Sequence, residues 1–153
     1  MRFKYLFLGL MIFILATSIT AISAADDYES LGDYTFDIPD GYHVLDKTDE
    51  MLSMQADDNH SVIVYKLDKI SDFEELKTYV KTLGGEFGAE ESFQSGNFNV
   101  TQGSYTLNDI QGLTYVCDDG SGSGILVAHG LPASEDAPSP EDNPASVVVD
   151  SLE

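Results

Sequence analysis

The sequence predicts an α+β domain: an antiparallel β-sheet of about six or seven strands with helices packed on its faces. Three observations carry this. Short apolar segments alternate with period two between polar turns; one segment, Ser71 to Leu83, carries its apolar residues at helical spacing; a second short helix is signalled by Asn143-Pro144 near the end.

Residues 1–25 stand apart from this pattern. Arg2 and Lys4 precede an apolar run of 12 residues, Tyr5 to Ala16, followed by hydroxyl and small side chains, the layout of a signal peptide. A spanning helix needs about 20 apolar residues, so cleavage is expected, with Ser23 and Ala25 forming a small-x-small site before Asp26; an uncleaved N-terminal anchor is the alternative. Residues 26–33 are polar and read as a flexible lead-in.

The domain proper is expected over 34–131. Tyr34, Phe36 and Ile38 alternate with polar residues, Pro39-Asp40-Gly41 turns the chain, and Tyr42 and Val44 resume the alternation. Leu52, Met54 and Ala56 form the first arm of a hairpin, and Val62-Ile63-Val64-Tyr65, apolar on both faces, reads as a central strand. Ser71 and Glu74 have the spacing of a capping box; Phe73, Leu76, Tyr79, Val80 and Leu83 make one stripe; Gly84-Gly85 ends the helix. Residues 84–97, Gly-rich and acidic, read as an irregular crossing. Three antiparallel neighbours follow, near Phe98–Leu107, Ile110–Cys117 and Gly124–His129. Residues 132–143, acidic and Pro-containing, read as a mobile linker, and 144–153 as a C-terminal helix that docks through Val147, Val148 and Leu152.

Charge narrows the function. From Asp26 onward the chain holds five Lys, no Arg and all 27 carboxylates, a formal charge of −22, and twelve carboxylates follow Lys81 without a basic residue. Nucleic acid is excluded as a partner, since its affinity rests on neutralising phosphates. About 128 residues suffice for one core. Cys117 is the sole cysteine, so no internal disulfide staples the domain despite the expected export. Asn59-His60-Ser61 and Asn99-Val100-Thr101 are glycosylation sequons suited to an exported surface.

The segment Phe36-x-Ile38-Pro39-x-Gly41-Tyr42, opening an antiparallel sheet that is followed by one helix, more strands and a C-terminal helix, resembles the start of PsbP-like domains. The resemblance spans roughly Tyr34 to Leu152. It implies a sheet with helices on both faces and a role in binding or assembly, and brings no catalytic residues with it. The acidity and short length depart from the photosynthetic members, so their specific function does not transfer.

No catalytic constellation is visible. Cys117 and His129 could be paired as thiol and imidazole, but Cys117 should lie opposite Ile125 in its hairpin, leaving His129 four residues farther, about 13 Å at 3.3 Å per residue. Cys117 reads as a small buried hydrophobe. His43, His60 and His129 lack metal-ligand spacing. Asp57, Asp58, Asp118 and Asp119 place oxygens on turns, the donor type calcium collects in groups of about six to eight, yet neither loop follows the EF-hand pattern. The expectation is a secreted or cell-surface binding module without a cofactor, engaging a protein or cell-envelope component. A calcium-binding surface protein is the alternative, and an unrecognised hydrolase the second.

Overall fold

The computed structural model describes residues 27–153; the expected signal peptide lies outside these residues. Nine strands and two helices follow in the order β1 (Tyr28–Leu31), β2 (Tyr34–Asp37), β3 (Tyr42–Lys47), β4 (Met51–Ala56), β5 (Ser61–Leu67), α1 (Asp72–Thr82), β6 (Glu86–Ser95), β7 (Phe98–Leu107), β8 (Ile110–Asp118), β9 (Gly124–Pro132) and α2 (Pro144–Asp150). Strands β3-β4-β5-β9-β8-β7-β6 form one seven-stranded sheet, antiparallel throughout, and β1-β2 a separate hairpin. The α+β expectation holds.

The sheet is covered on both faces, which explains why β5 and β9 are apolar on both sides. On one face α1 packs Phe73, Leu76 and Val80 against Ile63, Tyr65, Tyr105 and Leu126. On the other, α2 and the β1-β2 hairpin bring Leu31, Phe36, Val148, Val149 and Leu152 onto Leu52, Val64, Val100, Cys117 and Val127. At the Pro39-Asp40-Gly41 turn the Tyr42 N–H donates to the Pro39 carbonyl at 3.1 Å and Gly41 takes φ 81°, a left-handed value that favours glycine. The turn carries the chain from the covering hairpin into the main sheet, and the flanking Phe36 and Tyr42 share one core.

Several expectations need correction. The 26–33 lead-in contains β1, tied to β2 and anchored by buried Leu31. Residues 84–97 are no irregular crossing: they hold β6, the edge strand beside β7. A register shift between Phe87 and Glu90 puts Phe87 opposite Tyr105 on the α1 face and Phe93 opposite Val100 on the α2 face. That bulge breaks the period-two pattern by which a strand is recognised. Ser71 makes no side-chain cap, because its backbone is already helical and the Glu74 N–H donates to the Ser71 carbonyl instead.

Residues 132–143 are not a free linker. The Ala133 N–H donates to the Asp109 carbonyl at 2.8 Å, Gln111 Nε2 to the Glu135 carbonyl at 2.6 Å, and the Tyr115 hydroxyl to the Pro140 carbonyl at 3.4 Å. This strap leads to Asn143, whose Oδ1 caps α2 by accepting from the Ala145 N–H at 3.0 Å. The docking face of α2 is Ala145, Val148, Val149 and Leu152; Val147 points outward at 40 % exposure.

Candidate functional site

Helix α2 has seven residues and is therefore about 10 Å long. It covers Phe98 and Val100 of β7 but leaves the sheet face open around Phe93 of β6 and Gln102 of β7. A groove of about 470 Å³ runs there, lined by Phe93, Gln102 and Tyr115 from the sheet and by Pro140, Glu141, Ser146, Val149 and Asp150 from the strap and helix. The register explains the lining. Glu91, Gln102 and Tyr115 stand in one cross-strand row and Phe93, Val100 and Cys117 in the next, so Glu91 and Phe93 share the α2 face, with Phe93 at the groove's outer wall. Phe93 is 41 % exposed, unusual for a phenylalanine beside an open groove. Burial and the carboxylate of Asp150 push the Tyr115 hydroxyl up to a pKa of about 12, so it stays a protonated donor to Pro140. Two carboxylates, Glu141 and Asp150, line the groove, Glu91 stands opposite Gln102 on the same sheet face, and no Lys lines it.

The same face carries a polar cluster at its other end. In the β5-β9-β8 register His129 lies opposite Val62 and Leu113, one same-face step from His60 at the hairpin end. The two imidazoles, 69 residues apart, stand with ring centroids 5.5 Å apart and edge-on. His60 Nε2–H donates to Glu135 Oε2 at 2.7 Å, since a carboxylate can only accept, and its Nδ1 lies 3.6 Å from Asp58 Oδ2.

Helix capping sets the His129 tautomer. Asn143 Oδ1 is committed to the Ala145 N–H, so its Nδ2 must donate to His129 Nδ1, 3.0 Å away. The ring proton of neutral His129 therefore sits on Nε2, a fully buried atom without a hydrogen-bond partner; the Tyr42 hydroxyl is a second such atom. Burial, with a smaller contribution from neighbouring His60, pulls the His129 pKa down to about 4. Gly112 packs so closely that a Cβ there would meet the His129 carbonyl oxygen at 1.7 Å. The ring is a neutral structural group, and its protonated Nε2 is not available as a metal donor.

The residues singled out from the sequence are dispersed. Cys117 pairs with Ile125 and His129 with Leu113, the separation the hairpin reading required. Cys117 is buried, and burial alone pushes its thiol up to a pKa of about 12. His43 lies on β3, opposite Gln55. Asp57 and Asp58 occupy the turn before β5, Asp118 is the last residue of β8 and Asp119 begins the loop before β9, so the two pairs lie at opposite ends of the β5-β9 pair, about 20 Å apart for seven paired residues. Oxygens of Asp58, Asp118 and Asp119 are already engaged. Asp58 Oδ1 accepts from the His60 N–H and Asp118 Oδ1 from the Gly120 N–H. Asp119 accepts from the Ser121 N–H and from the Tyr34 hydroxyl at 2.6 Å, and the hydroxyls of Ser121 and Tyr34, with that N–H, hold its carboxyl below the usual range. Among the described residues, no three or more His, Cys, Asp or Glu side chains are grouped to hold a metal. Asn59 is exposed in a turn at φ 66°, and Asn99 is exposed on β7 beside Gln94.

Sequence reasoning missed Phe93, Glu91 and Glu135, which it had assigned to irregular segments, and the meeting of His60 with His129. The latter depends on the β5-β9 pairing, which no local pattern announces. No family model matches the chain, and no curated protein matches it. Among the described residues no helix is long and apolar enough to cross a membrane.

Proposed function

We propose that the protein is a secreted or cell-surface binding module of PsbP-like type, which holds a cationic segment of a partner protein or cell-envelope component in the groove between β6 and α2. The observation that carries this reading is an open groove with an exposed phenylalanine, lined by two carboxylates and no Lys, with Glu91 on the same sheet face beside it. Apolar surface supplies affinity, and a single sign of charge along a cleft raises the local concentration of oppositely charged partners. A helix on each sheet face, following the Phe36–Tyr42 motif, supports the PsbP-like reading. We read the role as non-enzymatic; the buried thiol and imidazole are held in their neutral forms at neutral pH.

The test is a fluorescence-anisotropy titration of a blocked peptide that alternates Lys and Tyr on one face with Thr on the other. Saturable binding is expected, weakened by added salt and by about tenfold in Phe93→Ser, on the basis of the ring area it would lose. Glu75→Gln, on α1 across the sheet, should bind as the parent does. Equal affinity in Phe93→Ser and the parent, or no saturable binding at low salt, rejects the groove.

A further inference from the structure

We propose that the outer edge of β6 accepts one more strand, an extended Lys-bearing segment of a partner protein whose backbone pairs with β6 while its side chains enter the groove. This rests on the groove reading and adds the manner of binding.

β6 ends the seven-stranded sheet, with β7 as its single neighbour. It is ten residues long, against six for β3 at the opposite edge, and every residue from Gly88 to Gln94 is exposed. An antiparallel edge strand directs alternate N–H and C=O groups outward, a template for a further chain. Only β6 of the two edges also borders the groove, through Phe93, with Glu91 two residues before it on the same face. These two residues lie two apart on one face, so a strand added beside β6 sets its own residues i and i+2 against them. A Lys opposite Glu91 and an apolar residue opposite Phe93 satisfy both. On the other face Glu90 is already paired with Lys77 at 2.7 Å and makes no comparable demand.

Charge selects the occupant. Two copies of β6 laid edge to edge would bring Glu90 and Glu91 of each against a strand with no basic residue, a pairing that like charges disfavour. The bulge between Phe87 and Glu90 further disrupts regular self-pairing. The same carboxylates attract a basic strand.

The experiment uses the Lys/Tyr/Thr peptide in three forms: unmodified, N-methylated at alternate residues, and N-methylated at the remaining alternate residues. Methylation removes N–H donors from one edge of the peptide and leaves its side chains in place. Strand addition predicts that one methylated form loses at least about tenfold in affinity while the other stays within about twofold of the parent, and that β6 amides become protected from hydrogen exchange on binding. If the unmodified peptide binds but both methylated forms match it, strand addition is rejected and the groove reading stands. If the unmodified peptide fails to bind, the groove reading itself fails. A dimer in sedimentation without peptide, abolished by Glu91→Lys together with Phe93→Ser, assigns the edge to a second copy and overturns the proposal.

Discussion

Acid should destabilise this protein through one buried imidazole. His129 has no exposure, and its pKa falls from the ordinary 6.5 to about 4 because charging it would place a cation in the core beside His60. The unfolded ring takes up a proton near 6.5, whereas the folded ring resists until about 4. Protons therefore favour the unfolded chain in that interval: stability fully present above about 6.5 is lost as pH falls, and the loss is complete near 4. Integrating the difference in bound protons between about pH 7 and about pH 4.5 gives a loss of roughly 2.4 kcal/mol from this residue alone. Urea unfolding at the two pH values and fixed ionic strength measures it against His129→Gln, which can still accept from Asn143 Nδ2 and does not titrate. The variant should lose about 2 kcal/mol less than the parent over the interval, with the carboxylate contributions common to both. His129→Leu, which leaves the Asn143 donor unpaired, should start from lower stability and show the same flattened dependence. Acid losses equal to within about 0.5 kcal/mol in parent and both variants would show that the ring is not held neutral in the fold, and would refute the burial argument.

Two further outcomes test the packing. Val148→Ala, at a fully buried position, should cost about 2 kcal/mol in denaturant unfolding, from two lost methyl-sized groups and the space they leave, whereas Val147→Ala on the exposed side of α2 should cost less than about 0.5; the reverse ranking would mean that α2 docks by another face. Cys117, buried and with its thiol pushed up to about 12, should react with a thiol reagent near neutral pH only as the domain unfolds, and rapid labelling of the folded protein would contradict its placement.

Much of the sheet was legible because its segments alternate cleanly or are apolar throughout. The arms at Leu52–Ala56 and Val62–Tyr65, the three consecutive strands after Phe98, and both helices could be read from periodicity, turn residues and the Asn143-Pro144 start. β6 was hidden for a physical reason. It packs against one neighbour, most of its residues face solvent, and its bulge moves Phe87 and Phe93 to opposite faces, so the alternation that a half-buried strand imposes is absent. The strap escaped because side chains hold it: Gln111, His60 and Tyr115 reach it from the sheet, and composition alone describes it as loose. The candidate site was the least visible part. Phe93, Pro140 and Glu141 of its wall come from the two segments read as irregular, and the pairing that joins His60 to His129 connects strands separated by most of the domain.

The strap makes the two ends of the α2 face one mechanical unit. At one end Glu135 is held by His60 and Gln111, and Asn143 by His129; between these anchors the chain supplies Pro140 and Glu141 to the groove wall and then starts α2, which supplies Ser146, Val149 and Asp150. Half of the groove is thus positioned by hydrogen bonds to the polar cluster, and half by the β6-β7-β8 register. A short helix with few turns of its own depends on its cap and its docked face. Asn143 meets the first need and, through the same amide, fixes the tautomer of His129. The burial of a histidine in an otherwise apolar core is then intelligible without assigning it chemistry: Nδ1 is the acceptor that orients the capping amide, and the amide orients the helix that walls the groove.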